Sequence, residues 1–308
     1  MSRDDFIAFR RSLGRTPPLQ RMNVLVRGLQ LAVWTSDPVG AAPPLLLVNG
    51  GLLYDHSLLW PALSPLAANR QVILYDQRGR GESEAPADPL DAFIEDDALD
   101  IGELRRALGI RQWDMLGHSW GGGIAMLAAV RDLAGTRKLV TVDSVGPTSA
   151  WMPVLQEVVL DRVGNDDRAT LQRMHDTALH EPDPALHGIH ARAVYSAWFD
   201  DPDMATYFAP PPIATSVTGA TIAARLRREG YDWREQLSVL STPTLVLHGE
   251  RDALPAAVAL ELVELLPRAR HVLLPDAGHM PFWEAPERFF GVVDAFLAAP
   301  STGPPRPT

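Results

Sequence analysis

The sequence predicts an α/β fold: a mostly parallel central sheet flanked by helices, with a mainly helical cap inserted into it. Three observations carry that prediction. Short, continuously apolar runs such as Leu45-Leu46-Leu47-Val48, Val72-Ile73-Leu74-Tyr75 and Leu245-Val246-Leu247 have the character of strands buried on both faces. Helical spacing alternates with such runs over residues 43–146, as in βα units. From Pro147 to 235 no comparable strand occurs, and amphipathic helical patterns take over.

In chain order, residues 4–14 have the spacing of a short amphipathic helix through Phe6, Ile7, Phe9 and Leu13. Residues 23–27 and 29–35 read as a hairpin hinged at Gly28. Pro43-Pro44 stops the chain before the strand 45–48, which ends at Asn49-Gly50-Gly51. Helical spacing follows over 57–68 through Leu58, Leu59, Leu63 and Leu66, then a strand over 71–75. Residues 91–108 predict a helix that is acidic at its start and carries Arg105-Arg106 near its end, as the helix dipole favours. Strands at 113–117, 138–143, 244–248 and 272–275, and helices at 255–266 and 286–298, complete the pattern. The partition expected is a core of 1–146 and 236–298, a cap of 147–235, and a disordered tail of 299–308 rich in Pro, Ser, Thr and Gly.

The chain has 308 residues, 46% apolar and 21% charged, enough to bury a substantial core. A formal net charge of −10 repels nucleic acid phosphates, so no nucleic-acid partner is expected. There is no cysteine, which excludes disulfides, thiolate catalysis and thiolate metal sites. The opening Met1-Ser2-Arg3-Asp4-Asp5 leads into no apolar signal region, and no run reaches the length of a membrane span. A cytoplasmic protein without a membrane partner is the expectation, and its oligomeric state is left open.

The chemistry is concentrated in Gly117-His118-Ser119-Trp120-Gly121, between an apolar strand and a helix of small residues. A serine on such a strand-to-helix turn sits in strained backbone, with its hydroxyl lifted clear of the sheet. Small neighbours are what allow strand and helix to approach so closely. A serine hydroxyl needs a base, and the base an orienting acid. With the chain order serine, acid, histidine, the ends of the last two strands supply Asp252 as acid and His279 as base. Asp143, at another strand end, is the alternative acid. His248 is expected to be packed, and Glu250 and Asp276 to cap loops. Two backbone N–H groups must hold the oxyanion: Trp120 follows the nucleophile, and Gly51 is the second glycine past the 45–48 strand.

Together with Asp76-Gln77-Arg78-Gly79 continuing to Gly81 and Ser83, Gly249-Glu250-Arg251-Asp252, and Gly278-His279-Met280-Pro281 continuing to Glu284 and Pro286, these residues resemble the α/β-hydrolase superfamily. The resemblance spans nearly the full length and is similar in particular to the proline iminopeptidase-related branch. It implies an α/β-hydrolase fold and a serine hydrolase acting through an acyl-enzyme, with no cofactor and no metal. Two departures concern the substrate. Iminopeptidases usually carry His-Gly-Gly-Pro-Gly where this chain has Asn49-Gly50-Gly51-Leu52-Leu53, and commonly a glutamate after the triad aspartate, where Ala253 stands here. An ammonium group buried without a paired charge is costly, and Glu181, Glu229 and Glu235 are the cap residues that would have to supply one. The reading is therefore a hydrolase of small carboxylic esters. An aminopeptidase acting on small peptide amides is the alternative, and a non-catalytic small-molecule receptor a third. Aspartate-nucleophile dehalogenases and epoxide hydrolases are excluded by Ser119, whereas a perhydrolase would keep the same triad.

The expected substrate pocket draws on Gly50, Leu52, His118, Trp151, Trp198, Phe199 and Met280, with Tyr207 and Phe208 as further aromatic candidates. Any one of these aromatics would serve equally to pack the cap onto the core. The cap histidines His175, His180, His187 and His190 are expected on a solvated helix face, since no acidic ligand stands at metal-binding spacing beside His187 and His190. Trp283-Glu284-Ala285-Pro286 is expected to pin the loop bearing His279 and to start the last helix.

Overall fold

Among the described residues the apolar runs assemble into one eight-stranded sheet, in the order 20–26, 29–35, 72–75, 45–48, 113–118, 136–142, 244–249 and 269–274. A computed structural model describes residues 2–13, 16–174, 178–207 and 216–300. The side chains of Phe6 and Tyr207, together with His175, Phe208, the proline run of 209–212 and residues 301–308 of the tail, lie outside the described residues. β1 (Gln20–Val26) and β2 (Leu29–Thr35) form the expected antiparallel hairpin, turning at Arg27 and Gly28 with φ of 48° and 85°. β3 (Leu45–Val48), β4 (Val72–Tyr75), β5 (Trp113–His118), β6 (Thr136–Val142), β7 (Thr244–Gly249) and β8 (Ala269–Leu274) run parallel to one another. Leu46 and Val48 of β3 enter one apolar layer and Leu45 and Leu47 the other, which is why this strand reads as unbroken hydrophobic sequence.

Helices cover both faces. α1 (Arg3–Ser12) precedes the sheet, with Ser2 and Asp5 forming a capping box. α2 (Ile94–Ala107) and α3 (Trp120–Arg131) pack on the first layer through Ile101, Leu104, Ile124 and Leu127. Between β6 and β7 the described residues hold helices and no sheet strand: α4 (Met152–Arg162), α5 (Asn165–Arg173), α6 (Pro184–Ala193), α7 (Val217–Glu229) and α8 (Arg234–Leu237). A bridge between Thr148 and Asp232 ties the two ends of this insertion together. α9 (Ala257–Leu265), α10 (Pro281–Glu284) and α11 (Pro286–Ala298) follow, the last burying Phe289, Val293 and Leu297 in the second layer. Among the described residues no helix is long and apolar enough to cross a membrane.

One expectation is corrected. The helical spacing at 57–68 is realised as two short 3₁₀ turns, His56–Leu58 and Ser64–Ala68, rather than one helix. Pro61 and Pro65 lack the N–H groups that a continuous helix would need.

The loop after β4 owes its shape to buried ion pairs. Arg78 grips Asp100 of α2 with two bonds of 2.7 and 2.5 Å. Arg80, fully buried, holds Asp97 of the same helix at 3.1 and 2.5 Å and donates to the Leu52 carbonyl at 3.0 Å. The Asp-Gln-Arg-Gly motif is thereby a clamp between α2 and the loop after β3. Replacing Arg80 by Met leaves the Asp97 carboxylate buried without its partner, and is expected to lower unfolding free energy by about 3–5 kcal/mol. Urea titration of the variant measures this, and the double change Arg80→Met with Asp97→Leu should recover most of the loss; a single-variant loss below about 1 kcal/mol would mean the pair is not what holds the loop.

Candidate active site

Ser119 stands between β5 and α3 with φ 56° and ψ −125°, a conformation that costs a non-glycine residue on the order of 1–3 kcal/mol. The cause is steric. A Cβ at Gly121 would lie 2.1 Å from the Val48 carbonyl oxygen, and one at Gly117 would lie 2.3 Å from the Gly121 oxygen. Only without those carbons can α3 come down against β3 and β5 and force the turn. Gly50 belongs to the same contact, its missing Cβ falling 2.7 Å from Ser119 Cβ.

The end of β8 brings His279 to the serine's side of the sheet. Its N–H donates to the Trp198 carbonyl at 2.7 Å, and its Nδ1 lies 2.8 Å from Asp252 Oδ2. Asp252 Oδ1 accepts from the Leu254 N–H at 2.9 Å. Burial pushes the Asp252 carboxyl up, but the charge and hydrogen bond of His279 outweigh it and hold this group below its usual value. Asp143 is different. It accepts only the Gly249 N–H, at 2.7 Å, and burial followed by the Asp252 charge raises it well above the carboxylate range. Its Oδ2 is buried and has no hydrogen-bond partner among the described residues. His248 is packed as expected, donating from Nε2 to the Leu254 carbonyl at 3.0 Å.

His118 donates from Nε2 to the His279 carbonyl at 2.8 Å, and burial lowers its pKa to about 3, so it stays neutral beside His279. Glu284 gathers three backbone donors: Gly278 at 3.0 Å, Met280 at 3.1 Å and Asp200 at 2.7 Å. One carboxylate thus holds both sides of His279 and a cap segment, with its pKa raised to about 7 by burial. Arg162 of α4 reaches the Arg251 carbonyl at 2.7 Å and that of Asp252 at 3.3 Å, a link with no signal in the sequence.

On the opposite wall, Asn49 donates to the Tyr54 carbonyl at 2.9 Å and Gln77 donates back to the Asn49 carbonyl at 2.8 Å. These bonds shape the turn containing Gly51, where φ is 76°. Among the described residues no acceptor takes the Gly51 N–H, and the Trp120 N–H, in the first turn of α3, has no partner within its helix. Both residues line the same cavity of about 370 Å³ as Ser119 and His279.

Of the residues expected in the pocket, Leu52, His118, Trp151, Trp198 and Met280 line this cavity. Gly50 does not, because it lies beneath the elbow. Phe199 is corrected to a core position: fully buried, it packs edge-on against Tyr195 at 5.6 Å. A second correction concerns the cap histidines. His187 and His190 face the cavity, not solvent, because α6 packs on α7 through that side. None of Glu181, Glu229 and Glu235 lines it, and neither does any other Asp or Glu among the described residues. Two groups of carboxylates and imidazole have metal-like proximity, Asp55-His56-Asp76 and Asp143-His248-Asp252, but hydrogen bonds within the protein engage the donor atoms of each.

Residues 43–286 match the family described as alpha/beta hydrolase fold. The chain is 26% identical over 256 residues to a proline iminopeptidase of Lactobacillus delbrueckii subsp. lactis, covering 78% of this chain and 84% of that protein. It is 30% identical over 237 residues to a 2-hydroxymuconate semialdehyde hydrolase of Pseudomonas putida, covering 74% and 77% respectively. Among solved structures it is similar to the enol-lactonase from Burkholderia xenovorans LB400, with a TM-score of 0.68, 26% identity, and coverage of 90% of this chain and 100% of that one.

The two buried acids differ in what they do for His279, and the difference is measurable. Asp252→Asn is expected to leave the imidazole in the wrong tautomer and lower kcat about 10⁴-fold, as in a well-studied serine protease triad. Asp143→Asn exchanges a neutral acid for a neutral amide and should keep kcat within about tenfold of the parent. Steady-state rates on p-nitrophenyl butyrate decide, and the reverse order of losses would make Asp143 the orienting acid.

Proposed function

Because this chain belongs to the α/β-hydrolase fold family and is similar to proline iminopeptidases, we propose that it is a serine hydrolase of small carboxylic esters working through Ser119, His279 and Asp252. The observation that carries this reading is the 2.8 Å Asp252–His279 bond beside a serine held at φ 56°, with Ser119 and His279 on one apolar cavity.

In this reading Ser119 Oγ attacks the ester carbonyl carbon while His279 Nε2 takes its proton. Asp252 keeps the imidazole in the tautomer with hydrogen on Nδ1 and stabilises the imidazolium as it forms. The negative oxygen of the tetrahedral intermediate is held by the N–H groups of Gly51 and Trp120. Collapse expels the alcohol, which takes the proton from His279, and leaves the acyl-enzyme. Water then attacks with His279 again as base, and release of the acid restores the Ser119 hydroxyl. Residues 147–235 act as a cap over the core of 1–146 and 236–298. Trp151 and Trp198 on the cavity wall keep water from the acyl group in the closed site.

The alternative, removal of an N-terminal residue from a small peptide, has the iminopeptidase relatives in its favour. Against it stands the cavity lining, which offers a substrate ammonium no carboxylate among the described residues. Initial rates on p-nitrophenyl butyrate and on proline p-nitroanilide separate the two. Ester cleavage that vanishes in Ser119→Ala, with the melting temperature unchanged to within a few degrees, is expected. Anilide cleavage faster than ester cleavage would replace the esterase reading by the aminopeptidase one, and full activity in Ser119→Ala would remove the mechanism.

A further inference from the structure

α7 carries three arginines in four residues, and they have different surroundings. Arg225 lies over the Phe93 ring at 3.6 Å and near Asp91 at 3.9 Å. Arg228 pairs with Glu229 at 2.7 Å and donates to the His180 carbonyl at 3.2 Å. Arg227 points the other way, one helical turn from Ala223 on the same face, and both line the cavity that contains Ser119.

Arg227 has no ion-pair or hydrogen-bond partner among the described residues. Burial lowers its pKa, and no carboxylate offsets that cost. The residue is nevertheless exposed over more than a third of its surface, and it lines the cavity. His187 and His190 of α6 stand beside it. Burial first, and then for His190 the charge of Arg227, hold both imidazoles neutral, His190 down to about 3. His187 donates from Nε2 to the Glu181 carbonyl at 3.1 Å. A chain with 38 acidic residues therefore places a guanidinium in its cavity wall and no acid among the described residues there.

This helix is firmly seated. Gly219 sits so close to the oxyanion loop that a Cβ would be 2.3 Å from the Leu52 carbonyl oxygen, and Ser216 Oγ donates to the Gly79 carbonyl at 2.5 Å. The helix that bears Arg227 is thus seated against the loop that carries Gly51. An unpaired guanidinium on this cavity wall is a group that a bound anion can engage without displacing an existing ion pair. We infer that the cavity binds an acyl substrate carrying a second, remote carboxylate, with Arg227 as its partner and the ester carbonyl directed to Ser119. With the imidazoles neutral, Arg227 is the one arginine or lysine to balance among the described lining residues. That suits a planar monoanion and the fork of a guanidinium better than a phosphate dianion. The inference rests on the Ser119 hydrolase proposed above and extends it to the substrate class, the half-esters of dicarboxylic acids.

The test uses a matched pair, mono-p-nitrophenyl adipate and its ω-methyl ester, with Ser119→Ala as the blank. The half-ester is expected to have a kcat/KM at least about tenfold above that of the methyl ester, largely through KM. Arg227→Met should lower the half-ester value at least about tenfold more than the methyl-ester value, and Arg227→Lys should restore part of it. The empty Arg227→Met protein should melt no lower than the parent, since no ion pair is lost. Equal rates on the two esters, or equal losses in Arg227→Met, would overturn the anion site while leaving the serine hydrolase standing. If neither ester is cleaved, the hydrolase reading fails. Calorimetry with monomethyl adipate then tests the site alone: binding by the parent, lost in Arg227→Met and absent for dimethyl adipate, supports it, and no binding overturns it.

Discussion

The contact on which the molecule depends is the approach of α3 to the ends of β3 and β5, with no side-chain carbon between them. At Gly117 and Gly121 the backbones touch at distances that any Cβ would violate, and Ser119 absorbs the consequence as a left-handed backbone conformation. That strain is sustained because the surrounding sheet is rigid: β3 and β5 are buried along their whole length and lie in register from Leu45 and Asp114 to Val48 and Gly117. The same contact sets the Trp120 N–H at the start of α3, so the Ser119 turn and that N–H come from a single packing event.

Everything else near Ser119 is held by polar groups buried for positioning. Arg80 fixes the carbonyl of Leu52, Gln77 and Asn49 fix the turn at Gly51, and Glu284 fixes the loop around His279. Each uses backbone atoms as its partner, so the geometry is set by main chain rather than by mobile side chains. Such arrangements are stable only when nearly every donor and acceptor is satisfied. Gln77 and Arg80 lie in the segment 76–83 and Glu284 in 278–286, while Asn49 follows directly on β3.

The pair of buried acids shows how position separates two similar groups. Asp143 and Asp252 end neighbouring strands, β6 and β7, and both are shielded from solvent. Two negative charges at that depth would be mutually destabilising, and the hydrogen-bond donors decide which acid ionises. Asp252 has the imidazole and the Leu254 N–H; Asp143 has one N–H. The cavity repeats the principle around Arg227, since burial keeps His187 and His190 neutral next to it.

The α/β fold and the sheet were legible in the sequence, and the residues it singled out come together: Asp252 bonds His279, and Ser119, His279, Gly51 and Trp120 line one cavity. Buried parallel strands are continuously apolar, and a strained elbow demands glycine at fixed spacing, so both constraints are local and leave a mark along the chain. The 57–68 segment was misread because apolar spacing alone does not register the missing N–H groups of two prolines. Where Phe199 points, whether His187 and His190 meet solvent or cavity, and which of three arginines turns inward depend on how α6 and α7 pack against each other and over the core. Helical periodicity says that a face exists, not what lies opposite it; the tertiary structure alone decided that Arg227 and the two imidazoles share a wall with Ser119.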